Sequence, residues 1–183
     1  MNKKGFTLVE LLAVIVILAV VMLIGGTTVL PMMQKAQKSS LGTEGVSLKK
    51  AAENAFQTEL IKGAGASFKS TDKVCFSMQY LCKTGAFDKG CDGLSAGDKY
   101  AGSVLVTPAT GASAVTDYKM WVTNNTYSFN NLGDANITNP EKADSTLTTT
   151  NISSCGKAVT SNKISGYVYC TYDGSAAKCY AAA

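Results

Sequence analysis

A single carboxylate, that of Glu10, lies inside a long apolar segment at the start of this 183-residue chain. Residues 11–34 carry no charged side chain, and an acid at the bilayer centre costs up to about 2.5–3.5 kcal/mol. Such an acid indicates a cationic partner. A cut between Gly5 and Phe6 would create an α-amino group one helical turn before Glu10 and on the same face. That amine could pair with its own Glu10 or with Glu10 of a neighbouring copy, where the acid would fix the register of an assembly.

Six cysteines, all beyond the apolar segment, are the second group of residues able to do chemistry. None forms a C-x-x-C pair, and their spacings fit no common metal or redox motif. In an exported domain they predict disulfides, with buried free thiols as the alternative. Among the many pairings, a Cys170–Cys179 bridge across a turn is favoured, and Cys75 with Cys82 could close a similar local loop. The six are Cys75, Cys82, Cys91, Cys155, Cys170 and Cys179.

The composition argues against catalysis. The chain has no histidine, which excludes His-dependent triads, most zinc sites and the usual general base. It also lacks a P-loop, a G-x-S-x-G motif and a G-x-G-x-x-G motif. Asp88, Asp92 and Asp98 could offer oxygens to calcium, but they miss the EF-hand spacing and are more typical of turns. The sequence therefore predicts no enzyme, no cofactor and no metal.

The element that must position Glu10 is a long apolar helix. Residues 6–24 include one charge, and at about 1.5 Å per residue this stretch is long enough for a hydrocarbon core of about 30 Å. Lys3 and Lys4 predict a cytoplasmic amino end. A cleaved secretory signal would have a shorter apolar core and a small-residue cleavage site, for which Ile24-Gly25-Gly26 is a poor candidate. A plain signal anchor fits the hydropathy but leaves Glu10 unexplained.

The segment after residue 30 predicts a second, amphipathic half of the helix. Pro31 predicts a bend or local unwinding, and Gly42 and Gly45 predict a soft junction. An apolar stripe at helical spacing then indicates packing on a globular domain, with a flexible stalk as the alternative. Gly63 is a natural stop. The stripe consists of Leu48, Ala52, Phe56 and Leu60.

The sequence pattern of residues 64–183 is typical of short strands joined by turns. Asn124-Asn125 and Asp173-Gly174 suit tight hairpins, whereas residues 131–163 are rich in Asn, Thr, Ser and Asp and predict a long exposed loop region. The expected fold is α+β, with a long N-terminal helix packed on a small antiparallel sheet. The predicted strands are Ser103–Thr107, Tyr118–Thr123, Thr126–Asn130 and Gly166–Tyr172.

The first thirty residues resemble the class III signal and N-terminal helix of type IV pilins and pseudopilins. The resemblance rests on two lysines and Gly5 followed without interruption by FTLVELLAVIVILAVVMLI. It implies that a prepilin peptidase cuts after Gly5 and methylates the amine of Phe6, and that Glu10 is the assembly glutamate. The chain would then be a single-pass membrane precursor and later a subunit of a homo-oligomeric, extracellular helical filament. The implied partners include a pilus assembly platform and its ATPase.

The resemblance divides the chain into four parts. These are a leader at 1–5, a transmembrane and assembly helix at 6–30, its amphipathic half at 31–63 and an extracellular head at 64–183. A structural subunit of a pilus-like filament is the favoured function. The alternatives are a competence or type II secretion pseudopilin, or a minor pilin, whose head binds DNA or another ligand, and a membrane-anchored extracellular enzyme.

DNA binding would require a stacking surface of aromatic side chains on the head. The net charge of +4 is too small to favour nucleic acid, and aromatic residues in short strands are usually core residues or cross-strand pairs. The aromatic candidates are Trp121, Tyr127, Phe129, Tyr167, Tyr169 and Tyr172.

Overall fold

The computed structural model describes residues 7–89, 91, 100–109, 115–124, 126–133, 141–142 and 149–183. The chain divides into two compact units, Met1–Gln37 and Lys38–Ala183. One α-helix, α1 (Leu8–Ile61), begins in the first unit and is also the first element of the second. The sheet and all described strands belong to the second unit. From here on, the head means this whole unit, Lys38–Ala183, and therefore includes the second half of α1 as well as residues 64–183.

The first half of α1 is apolar on all sides. Its leucine, isoleucine, valine and methionine side chains are exposed, Leu11 at 62% and Val21 at 59%. Within the described part of the chain, α1 is the one helix long and apolar enough to cross a membrane, judged by length and composition. Pro31 lies inside α1, which continues on both sides of it. Of the two outcomes predicted at Pro31, the local unwinding is wrong, because losing one backbone hydrogen bond does not end a helix of this length; the bend stays a prediction.

The head contains one mixed sheet, and its described residues form seven strands in the order β5-β4-β3-β2-β1-β6-β7. Every neighbouring pair is antiparallel except β1 and β6, which are parallel. The predicted α+β fold is confirmed, although the sheet is mixed where a purely antiparallel one was expected. The strands are β1 (Val74–Ser77), β2 (Ala101–Pro108), β3 (Val115–Thr123), β4 (Tyr127–Gly133), β5 (Glu141–Lys142), β6 (Val168–Tyr172) and β7 (Ala177–Tyr180); the short helices are α2 (Met78–Lys83), α3 (Thr149–Ile152) and a 3₁₀ turn at Gly63–Gly65.

The inner face of the sheet packs against the second half of α1. Side chains on a strand alternate between faces, so Met120 and Val122 of β3 enter the same core as the helix. The predicted apolar stripe is confirmed, because Leu48, Ala52 and Phe56 are fully buried in this core. Burial of this stripe holds the sheet on α1 and favours a packed helix over the flexible stalk.

Gly42 and Gly45 lie within α1 and are buried. A methyl group on Gly45 would lie 2.9 Å from Cε2 of Phe129, a fully buried ring on β4. The soft junction predicted at these glycines is therefore wrong. Gly45 allows the helix backbone to approach the sheet closely, and this requirement outweighs the lower helix propensity of glycine.

Gly45→Ala should reduce the free energy of unfolding of the head by about 1–3 kcal/mol, because the new methyl group overpacks the helix against Phe129. Helix propensity alone would predict a gain of about 1 kcal/mol, so the sign of the change identifies the cause. The measurement is urea unfolding followed by circular dichroism. Ser47→Ala, on the exposed side of the same helix, is the control and should change stability by less than about 0.5 kcal/mol. A stabilised Gly45→Ala variant would contradict the close contact.

A buried carboxylate fixes the end of α1. Glu59 is 4% exposed, and it accepts hydrogen bonds from the Lys62 ammonium, from the backbone N–H of Ser67 at 3.0 Å and from the Ser67 hydroxyl at 2.6 Å. Burial raises the pKa of Glu59, but these donors outweigh burial and hold the pKa below its ordinary value. The helix ends at Ile61, and Gly63 follows with a φ of 59°, which confirms the predicted stop.

The outer face of the sheet is partly covered by the end of α3 and the chain that follows it to β6. Ile152 and Ile164 pack there on Leu105, Trp121 and Tyr169. Ser103 of β2 donates to the carbonyl of Ile152 at 2.6 Å and accepts from the N–H of Cys155 at 2.9 Å. The polar composition of residues 131–163 predicted a long exposed loop region. This prediction is wrong for the part that contains Ile152 and Cys155, because these residues belong to a second buried cluster.

The cysteines form three disulfides. Cys170–Cys179 joins β6 to β7, which is the pairing favoured from the sequence, and the other two bridges are Cys75–Cys155 and Cys82–Cys91. The suggested pairing of Cys75 with Cys82 is wrong. Cys75 belongs to the cluster on the outer face, whereas α2, which carries Cys82, packs its buried side chains into the core under the inner face.

Candidate functional site

Glu10 lies in the first turn of α1 and bonds to Thr7, the residue that directly precedes the helix. Its Oε2 accepts from the backbone N–H and from the hydroxyl of Thr7, each at 2.8 Å. The N–H of Glu10 donates to the Thr7 hydroxyl at 3.3 Å. This reciprocal arrangement is a capping box, which satisfies backbone donors that the first turn of a helix leaves unpaired.

Thr7 is a residue of this site that was not predicted from the sequence. The signal was present, because Thr7-Leu8-Val9-Glu10 has the T-x-x-E spacing of a capping box directly before an apolar run. The structure therefore gives Glu10 a role within its own chain that does not require a second subunit.

The capping box also presents the carboxylate toward the amino end of the chain. Both side-chain bonds from Thr7 use Oε2, and within the described residues no donor contacts Oε1. A negative charge in the first turn is stabilised by the helix dipole. The site can therefore accept an ammonium group without losing its internal bonds. Gly5 and Phe6, the predicted cleavage and methylation residues, lie outside the described residues.

The surface around Glu10 is apolar. Leu8, Val9, Leu11 and Leu12 are more than half exposed, and exposed apolar side chains continue along the helix to Met33. A contiguous apolar surface of this extent marks a site of contact with lipid or with other proteins. A helix that is apolar on all sides is buried in one of these environments.

The model of the family described as "Prokaryotic N-terminal methylation motif" matches residues 1–26. The chain carries the class III prepilin signal of type IV pilin-like proteins. A search of curated proteins found no match, and neither did a search of solved structures. The prepilin assignment therefore rests on these residues and on the helix that they begin.

The prepilin signal and the apolar helix fit a membrane-anchored precursor. The signal also implies processing by a prepilin peptidase. With the long helix packed on a sheet, it supports a type IV pilin-like or pseudopilin protein. The three disulfides agree with a head that folds in an oxidising compartment.

The aromatic candidates do not share one open surface. Trp121, Tyr127, Phe129 and Tyr169 are buried and belong to the core, whereas Tyr167 and Tyr172 are partly exposed. Asp92 and Asp98 lie outside the described residues, which therefore do not test the calcium alternative. Within the described ranges, no three acidic or cysteine side chains are grouped to hold a metal ion.

Proposed function

We propose that the chain is a structural subunit of a type IV pilus-like filament. It is cut after Gly5, methylated on the amine of Phe6 and polymerised through the apolar half of α1. One observation carries this proposal: the first half of α1 exposes an apolar surface on all sides, with a single acid in its first turn. The cap on Thr7 uses Oε2 alone, and an uncharged glutamine could supply it, so neither a soluble head nor a plain membrane anchor needs the negative charge.

The energetics favour transfer of α1 from lipid into a bundle of identical helices. Burial of each Leu, Ile or Val side chain is worth about 1.5–3 kcal/mol relative to water, so the helix does not leave the bilayer for solvent. In a helical bundle these side chains remain in an apolar environment. Glu10 then gains the amine of Phe6 on a neighbouring subunit, which offsets the cost of holding a carboxylate there.

This function requires no catalysis by the chain itself. We expect the prepilin peptidase to process it, and an assembly platform with its ATPase to insert each copy into the filament. The head then lies at the cell surface as a disulfide-tied scaffold. In this account the protein is not an enzyme, and its partners are copies of itself and the machinery that assembles them.

The test is to shear the native cells and examine the released material. We expect filaments that react along their length with an antibody against the head, and mass spectrometry should identify the chain as a main component. Labelling at filament tips alone would indicate a minor subunit. If the chain stays in the cell envelope and the sheared fraction contains none of it, the surface filament is ruled out.

A further inference from the structure

We propose that the outer face of the head sheet holds a binding cleft for an acidic saccharide. The cleft has a volume of about 600 Å³, within the range of small-ligand sites. It lies wholly in the head and does not depend on the proposed filament role. Its lining includes Lys73, Lys119, Asn130 and Asn131 on the sheet side, and Lys157 and Tyr167 opposite.

The floor of the cleft is built by strand register. Leu105 pairs with Cys75 on one side and with Lys119 on the other, so the three lie in one row across β1, β2 and β3. Thr107 and Asp117 form the next row. Cross-strand partners share a face of the sheet, which places a polar patch directly beside the apolar cluster.

A bulge adds a second amide to this floor. Trp121 pairs with Asn130 and Met120 pairs with Leu132, so Asn131 is an extra residue on β4. Its φ is 56°, in the left-handed region that asparagine tolerates better than most residues. Bulges redirect side chains, and here Asn130 and Asn131 both line the cleft, which a regular strand would not allow.

The opposite wall is fixed before any ligand arrives. The Cys75–Cys155 disulfide joins it to the centre of β1. The next residue, Gly156, lies so close to Trp121 that a Cβ would fall 2.8 Å from the indole Nε1. A site whose walls are held in this way loses little conformational entropy on binding. The geometry therefore favours a preformed cleft.

The charge of the lining selects an anion. Three lysines and one aspartate line the cleft, a formal balance of +2 (three minus one). Lys157 lies 5.8 Å from the centre of the Tyr167 ring, and among the described residues neither Lys73 nor Lys119 has an ion-pair partner. A concave site with this balance attracts carboxylates or other anions.

The amides and the covered aromatic rings favour a saccharide over a nucleic acid. The side-chain amides of Asn130 and Asn131 each carry both donors and an acceptor, which matches hydroxyl groups that also donate and accept. Single-stranded nucleic acid instead needs open aromatic faces for stacking. Trp121 is 6% exposed, and Tyr167 is half-buried beneath Lys157.

Trp121 is the one tryptophan of the chain and lines the cleft, so its emission reports on this site. The experiment titrates the full chain, in non-ionic detergent, with tetragalacturonate by calorimetry and by fluorescence. We expect saturable binding that weakens as salt rises and that changes the Trp121 emission. The fully methyl-esterified tetramer, which keeps the rings and loses the charges, and a ten-residue oligothymidylate should bind at least about tenfold more weakly.

Two variants test the assignment to this cleft. Lys119→Gln should weaken tetragalacturonate binding about tenfold, through loss of a charged hydrogen bond. Asn131→Gly, which keeps the left-handed backbone, should also weaken it. Lys50→Gln, at an exposed position of α1, is the matched control and should bind like the unmodified chain. Absence of binding, equal binding of the ester or the oligothymidylate, or an unchanged Lys119→Gln variant would overturn the proposal.

Discussion

Glu10→Gln should lower the amount of chain in surface filaments at least about tenfold, with membrane insertion and processing unchanged. Glutamine keeps the length of the side chain and can still accept from Thr7 in the capping box. It removes the negative charge that would pair with the amine of Phe6 on the next subunit. Loss of a charged hydrogen bond costs about 1.5–3 kcal/mol, and the loss recurs with every added copy.

The structure supplies a control that separates the charge from the cap. Thr7→Val removes the hydroxyl that bonds to Glu10 and keeps the carboxylate. If Glu10 acts through its charge, Thr7→Val should assemble nearly normally, because the loss of a cap costs about 1 kcal/mol in a long helix. Glu10→Ala removes both functions and should assemble no better than Glu10→Gln.

The measurement is the ratio of sheared to membrane-bound chain, found by immunoblot for each variant. If Glu10→Gln forms filaments normally while Thr7→Val does not, Glu10 serves the helix cap and has no role as an intersubunit charge. Normal assembly of all three variants would remove Glu10 from the assembly mechanism.

Removal of the Cys75–Cys155 bridge should be the most damaging single change to the head. The two cysteines are 80 residues apart, whereas each of the other bridges spans 9. In the chain-entropy description, a bridge stabilises more when it closes a longer loop. The double variant Cys75→Ala/Cys155→Ala should therefore lose about 4.5 kcal/mol of unfolding free energy, and Cys170→Ala/Cys179→Ala about 2.5 kcal/mol.

The two double variants are compared by urea unfolding of the full chain. Far-ultraviolet circular dichroism follows the loss of secondary structure, to which the 54-residue α1 contributes most, and Trp121 emission follows the cluster around Cys155. We expect the Cys75/Cys155 variant to unfold at the lower urea concentration by both probes. An equal or smaller loss of unfolding free energy for this variant would show that the bridge adds little stability to a segment that Ile152 and Ser103 already hold on the sheet.

The sequence was sufficient for the parts of the fold that depend on local pattern. The apolar run predicted α1, the spacing of Leu48, Ala52 and Phe56 predicted its packing face, and Asp173-Gly174 predicted the last hairpin. Each of these signals lies within a few residues of its consequence. Glu10 stood out for the same reason, since a lone charge in an apolar segment is visible without any tertiary contact.

The remaining features depend on residues that are distant in the chain. From the sequence alone, Gly45 predicts a break in the helix. Its actual role, close approach of the helix to Phe129, depends on a contact between distant residues. In the sequence, Cys155 is one of several possible disulfide partners for Cys75. The two are brought together because β1 and the segment after α3 lie side by side on the outer face of the sheet. The cleft joins side chains from β2, β3, β4 and the chain near Cys155. The spacing of residues along the sequence does not predict these tertiary contacts. They depend on the order of the strands and on the face of the sheet that each residue occupies.

The most direct test of the filament account is the intact mass and N-terminal sequence of the chain in sheared filaments, with a Gly5→Ala variant measured in parallel. The account predicts that the filament subunit begins at Phe6 with one additional methyl group on its amine, and that Gly5→Ala stays in the membrane with its leader attached. A subunit that still begins at Met1, or one cut near Gly26, would contradict the account, because neither form places a free amine one helical turn before Glu10.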